Sequence, residues 1–230
     1  MALTPRVFAD RTAAGAALAR EMQQRRLPPP VLVLALPRGG VPVASEVAAA
    51  LDAPLDVMLV RKVGMPGQPE LAIGAVASGD IVVRDRTFEQ EMPGIAEAFE
   101  RIAATERREL LRREQVYRAG LEPLVLEGKT IVLVDDGLAT GSTMLAAVRA
   151  ARAGGAAAIV VAAPVASPQA VQLLAAEADA IVILQIPVML FAIGEWYERF
   201  EQLEDDEVCR LLEQHRRSRR ESGTSNQPSR

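Results

Sequence analysis

Apolar residues follow two alternating rhythms along this chain. Five unbroken runs, VLVLAL (31–36), LDVMLV (55–60), TIVLVD (130–135), AAIVVAAPV (157–165) and DAIVILQI (179–186), have the length of strands. They lack polar alternation, which predicts strands buried on both faces. Between them the apolar positions return every three or four residues. Residues 10–26 place Ala14, Leu18 and Met22 on one helical face and end at LPPP, while VASEVAAAL (43–51), STMLAAVRAARAGG (142–155) and SPQAVQLLAAEA (167–178) each follow a strand as a helix. LAIGAVAS (71–78) and IVVR (81–84) predict shorter strands joined at Gly79 and Asp80, and the Gly and Pro density of RKVGMPGQPE (61–70) predicts a loop. A charged helical insertion is expected from about residue 87 to 119, with Glu109 and Arg113, and Glu114 and Arg118, at pairing distance.

Strands alternating with helices of this length imply a doubly wound α/β fold, a mainly parallel central sheet with helices on both faces. Ligands bind such sheets beyond the carboxyl ends of the strands, so the loops after Leu36, Val60 and Val134 are expected at one edge. Residues 1–215 read as a single domain. The tail from 216 to 230, charged and then rich in Ser, Gly, Asn and Pro, reads as disordered.

Composition narrows the function. At 230 residues and 50% hydrophobic, the chain has ample material for one core. A net charge of -4 argues against nucleic acid as a partner. No apolar stretch reaches membrane-spanning length, and MALTPRVFADR lacks the apolar region of a signal peptide, so a cytoplasmic protein with no membrane association is expected. The lone cysteine, Cys209, suits a reducing compartment and reads as a small core residue of the last helix. The sole histidine, His215, falls in the basic run HRRSRR, in what reads as the least ordered part of the chain, so histidine-based triads and zinc sites are disfavoured.

The informative string is VLVDDGLATGST (132–143). Asp135 and Asp136 end an apolar strand side by side; like charges repel, and burial raises that cost. A vicinal diol would offer donors matched to the paired acceptors, as when an acidic residue grips a ribose. Gly137 and Gly141 then permit a tight turn with unobstructed amides, Thr140, Ser142 and Thr143 add hydroxyls, and the loop opens a helix whose N-terminus suits a phosphate. The alternative is that the acids merely cap the turn. A nucleotide P-loop is disfavoured because its lysine is missing, and no GxGxxG follows any strand.

This string resembles the phosphoribosyl pyrophosphate (PRPP) motif of type I phosphoribosyltransferases, with every signature position filled. The resemblance implies that Asp135 and Asp136 bind the ribose hydroxyls, and that Gly137, Leu138, Ala139, Thr140, Gly141, Ser142 and Thr143 form the loop around the 5-phosphate. LPRGG (36–40) resembles the family's pyrophosphate loop, which implies that Pro37, Arg38, Gly39 and Gly40 contact the diphosphate, with a cis peptide expected between Pro37 and Arg38. In VRK (60–62), Arg61 and Lys62 stand where a basic residue reaches the pyrophosphate, and the run after them resembles the mobile loop that covers the substrate. LPRGGVPVA, VRKVG, PELAIGAV, RRxxxYR and GEWYERF together resemble a bacterial subgroup of predicted phosphoribosyltransferases over about residues 7 to 212.

The resemblance implies displacement of pyrophosphate from PRPP by a nitrogenous acceptor such as a nucleobase, with Arg38, Lys62, Asp135 and Asp136 as the catalytic set. It implies magnesium held mainly by PRPP oxygens, with no direct protein ligand, and a homodimer. A small hood is expected from residues 187–200 and the N-terminal helix, with Phe191 or Trp196 stacking on the acceptor; alternatively these rings anchor the final helix. Arg107, Arg108, Arg112 and Arg113 could line the pocket, contact a partner or form a solvated helix face; the solvated or subunit-contacting reading is favoured because Glu residues are interleaved among them. The rival functions are a non-catalytic PRPP-sensing regulator and a PRPP synthetase.

Overall fold

The computed structural model describes residues 7–85 and 94–224. The elements in chain order are α1 (Arg11–Gln23), β1 (Val31–Ala35), α2 (Gly40–Ala50), β2 (Leu55–Val57), β3 (Val60–Met65), β4 (Gln68–Ala77), β5 (Ile81–Arg84), α3 (Ile95–Arg118), β6 (Thr130–Val134), α4 (Ser142–Ala153), β7 (Ala158–Val165), α5 (Pro168–Ala175), β8 (Ala180–Gln185), a short 3-10 turn (Ile193–Trp196) and α6 (Asp205–Thr224). Five strands form a parallel sheet in the order β2-β1-β6-β7-β8.

Successive residues of a strand face opposite sides, so each apolar run feeds two cores. Val33, Ala35, Val132, Val134, Val160 and Ala162 pack beneath α1, α2, α3 and α6. Leu32, Leu34, Ile131, Leu133, Ile159 and Val161 pack against α4 and α5 on the other face. Complete burial of a residue such as Leu133 stabilises the fold by roughly 1.5–3 kcal/mol. The doubly wound α/β expectation therefore holds, with helices on both faces.

β1 and β6 lie side by side, Ala35 opposite Val134, and the chain leaves them in opposite directions: α2 packs on one face and α4 on the other. This reversal opens a crevice at their carboxyl ends.

Three expectations need correction. LDVMLV is not one strand: β2 stops at Val57, and β3 begins at Val60 in a separate antiparallel sheet, β3-β4-β5. RKVGMPGQPE is mostly strand rather than loop, because β3 and β4 pair across a tight turn in which Gly67 adopts the left-handed conformation at φ +81°. Residues 216–224 are helical rather than disordered, since α6 continues to Thr224; residues 225–230 lie outside the described residues. His215 is accordingly in an ordered helix, buried, with its Nε2 3.0 Å from the Ala53 carbonyl oxygen. Burial lowers its pKa.

The helical insertion is α3; residues 86–93, at the start of the expected stretch, lie outside the described residues. No helix among the described residues is long and apolar enough to cross a membrane.

Candidate active site

The crevice brings together the segments that the sequence keeps far apart. The Leu36 amide donates to the Val134 carbonyl at 2.9 Å, which aligns PRGG with the acid pair. The packing requires glycine there: a β-carbon on Gly39 would overlap the Asp136 carboxylate, and one on Gly40 would sit 2.6 Å from the Val134 carbonyl oxygen. The Pro37-Arg38 peptide is cis, as expected. From the third segment, Arg61 shares a small cavity with Pro37 and Thr143, and Lys62 lines a cleft of about 600 Å³ that Thr143 also borders. Lys62 also shares a cavity with Ser142. The loops after Leu36 and Val134 and the start of β3, which stands in place of the loop expected after Val60, thus converge on the first turn of α4.

Each carboxylate of the pair has a different environment. Asp135 Oδ1 accepts from the Asp136 amide at 2.8 Å. Its pKa is raised, by burial first and by the neighbouring Asp136 charge second. Asp136 receives Arg11 Nε at 2.7 Å, with both side chains largely buried. Burial raises its pKa and Arg11 opposes that rise. Arg11 also donates to the Glu201 carbonyl at 2.8 Å and lies 3.8 Å from the Phe200 ring centroid, a cation–π contact.

Phe200 stacks on Tyr197, whose hydroxyl donates to the Asp136 carbonyl at 2.6 Å. Arg11 and Tyr197 thus support the acid pair; the sequence analysis singled out neither, although Tyr197 lies in the GEWYERF string. Their contacts span 125 and 61 residues, and no local pattern signals either.

The remainder of the loop is open. Ala139, Thr140 and Thr143 are exposed. Gly141, at φ +75°, turns the chain into α4 and as its N-cap has no side chain to offer, though Thr140 Oγ1 accepts from the first amide, that of Ser142, at 3.3 Å. First-turn amides have no intrahelical partner, so those after Ser142 suit an anion. α2 also starts without a side-chain cap among these residues, whereas Ser167 caps α5 by accepting from the Ala170 amide at 3.0 Å. These two uncapped starts belong to the helices that follow β1 and β6.

The hood expected from residues 187–200 and α1 divides in two. Phe8 bridges to Tyr197, and Trp196, Ile193 and Phe200 pack with them, so Trp196 helps anchor this segment. Ile193 lies over Gly137, where an added β-carbon would approach its Cγ2 to 2.5 Å. Phe191 projects instead, 78% exposed. Arg38 is 3.7 Å from Glu204 and 4.0 Å from Asp205, at the start of α6. Cys209, on α6, is partly buried against the core and its thiol donates to the Val116 carbonyl.

An acid pair and two helix starts without side-chain caps thus meet at the reversal point of a parallel sheet. The chain belongs to the phosphoribosyl transferase family: the model for the phosphoribosyl transferase domain matches residues 10–207. Two Mycobacterium tuberculosis proteins, "Putative phosphoribosyl transferase MT0597" and "Putative phosphoribosyl transferase Rv0571c", are each 42% identical over 218 residues, covering 95% of this chain and 49% of theirs. The chain thus spans about half the length of these relatives. The crystal structure of TT1426 from Thermus thermophilus is similar with a TM-score of 0.80 and 44% identity, covering 90% of this chain and 97% of that one.

Proposed function

We propose that this chain binds PRPP and transfers its phosphoribosyl group to a nitrogenous acceptor, a nucleobase or a similar planar ring, releasing pyrophosphate. The observation that carries this reading is the packing of the PRGG loop directly against Asp135 and Asp136, which sets a diphosphate site beside a diol site. In this reading Asp135 and Asp136 accept from the ribose hydroxyls, and residues 137–143 surround the 5-phosphate. Pro37, Gly39 and Gly40, with the cations Arg38, Arg61 and Lys62, face the diphosphate.

The acceptor nitrogen gives its lone pair to the anomeric carbon as the bond to the diphosphate oxygen breaks, and pyrophosphate leaves with that electron pair. The sugar is electron-poor at the transition state, as in glycoside hydrolysis. Arg38 and Lys62 stabilise the charge growing on the leaving group, each well-aimed donor contributing roughly 3 kcal/mol. Asp135 and Asp136 hold the ring in place for in-line attack.

The acid pair presents carboxylate oxygens, the ligand type that fits a hard cation such as magnesium. Magnesium bound through the substrate's own oxygens would neutralise the leaving diphosphate. Phe191 supplies an apolar face for the acceptor. We further propose that the protein works in the cytoplasm as a homodimer.

Calorimetric titration of PRPP with magnesium into the wild type and an Asp135→Asn, Asp136→Asn variant tests the reading. The variant should bind at least about a hundredfold more weakly, since it loses the charged half of two hydrogen bonds. A folded wild type that takes up no PRPP would overturn it. Binding without pyrophosphate release across a panel of nucleobases would favour the PRPP-sensing regulator.

A further inference from the structure

Helix α3, at 24 residues, is the longest among the described residues, and one of its stripes runs along the cleft. Glu106, Leu110, Arg113 and Tyr117 are spaced four, three and four apart, which aligns them on one face. Glu106 accepts from Arg61 Nε at 2.6 Å. Leu110 and Arg113 line the small cavity that also holds Pro37, Arg61 and Thr143. The Tyr117 hydroxyl donates to Asp205, one of the acids facing Arg38. Arg38 and Arg113 are both close enough for their charges to act on Tyr117, whose pKa is raised, chiefly by burial. The stripe thus touches the PRGG loop, the basic residue after Val60, and the acid that faces Arg38.

Arg61 and Arg113, which line this cavity, share a second property with Arg38 of the adjoining PRGG loop. Arg38 faces Glu204, Arg61 faces Glu106 and Arg113 faces Glu109, with the three arginine side chains 33%, 34% and 47% exposed. Ion pairs this open to water are weak, so a polyanion that contacts several cations at once displaces the carboxylates readily. Arg113 is exposed, as expected of a solvated face, and it also borders the cavity.

We propose that α3 closes the diphosphate subsite and that Arg113 donates to the diphosphate oxygens, exchanging Glu109 for them when the anion enters. The inference rests on the PRPP reading of the crevice. It gives the RRxxxYR segment (112–118) a role: Arg113 binds, while Tyr117 ties α3 to Asp205, one of the acids facing Arg38.

Calorimetry with two separate probes, pyrophosphate with magnesium and ribose 5-phosphate, tests it on the full chain. Arg113→Gln should weaken pyrophosphate by about tenfold and leave ribose 5-phosphate unchanged. Glu109→Gln, which frees Arg113, should tighten pyrophosphate by about threefold. Arg108→Gln, an exposed arginine bonded to Thr105 on the same helix, should change neither.

Wild-type pyrophosphate affinity in Arg113→Gln, or equal loss of both probes, would overturn the inference. A wild type that binds ribose 5-phosphate but not pyrophosphate would overturn it while leaving the 5-phosphate loop intact. A wild type that binds neither would end the PRPP reading and this inference with it.

Discussion

The loop after β6 is held differently at its two ends. At its start, Asp135 and Asp136 are buried and tied to remote parts of the chain through Arg11 and Tyr197. At its end, residues 139–143 are largely exposed and bonded locally, the Ser142 amide donating to Thr140 Oγ1 at 3.3 Å and Thr140 Oγ1 to Ser142 Oγ at 3.2 Å. The contrast fits the proposed ligand. A neutral diol must be met by acceptors already in place, and placing charged acceptors in a crevice costs stability. A phosphate arrives with its own charge and needs only amides that are free or held weakly, as the Ser142 amide is by Thr140 at 3.3 Å. On the proposed reading the ribose end is a tertiary construction and the phosphate end a local one.

Substitutions should separate the two ends, most strongly at Asp136. Asp136→Ala leaves the buried Arg11 guanidinium unpaired, and we expect a loss of about 3–5 kcal/mol in denaturant unfolding. Arg11→Met combined with Asp136→Asn removes the charges together and should recover most of that loss. A single substitution as stable as the wild type would show that Arg11 does not depend on the acid.

A smaller effect of opposite sign is expected at Asp135. Its raised pKa means that the folded chain holds this proton more tightly than the unfolded chain does. Its stabilising contribution is therefore complete at low pH and is lost as pH climbs from the unfolded value of 3.8 through the raised folded one. Asp135→Asn keeps the acceptor for the Asp136 amide and removes the charge. The variant should melt above the wild type at about pH 8, and the gap should narrow toward about pH 4. An unchanged gap across that range would show that Asp135 titrates normally.

The least effect on stability belongs to the other end. Thr140→Val with Ser142→Ala should alter stability by less than about 0.5 kcal/mol, since both sites are near the surface. The same pair should weaken ribose 5-phosphate severalfold in calorimetry. A large stability loss would show that the phosphate end is also part of the fold's support.

What could be read from the sequence follows the same division. The runs from Val31, Thr130 and Ala158 are apolar at nearly every position and form strands covered on both faces, whereas the similar run from Ala180 becomes the edge strand β8, in which only Val182 is buried. Thr140 to Thr143 carry their chemistry in adjacent positions, so their grouping is visible without a fold. LDVMLV misleads because its composition suits one strand, whereas the break at Met58 depends on β3 leaving for a second sheet. The composition of α6 beyond Arg216 resembles a solvated tail, and it is helical where His215 and Leu212 pack inward. Arg113 looks like its neighbours on α3 until the cavity shows which face it occupies.

The sequence by itself determined the alternation of strands and helices, the order of the sheet's apolar runs along the chain, and a local loop of glycines and hydroxyls placed to open a helix. These depend on periodicity and on contacts within a few residues, which the chain records directly. Only the tertiary structure decided that Arg11 faces Asp136, that Tyr197 holds the start of the loop, and that α3 stands beside PRGG. Those pairings bring together groups far apart in the chain, and their partners are selected by how the sheets and helices pack rather than by any neighbour in the sequence.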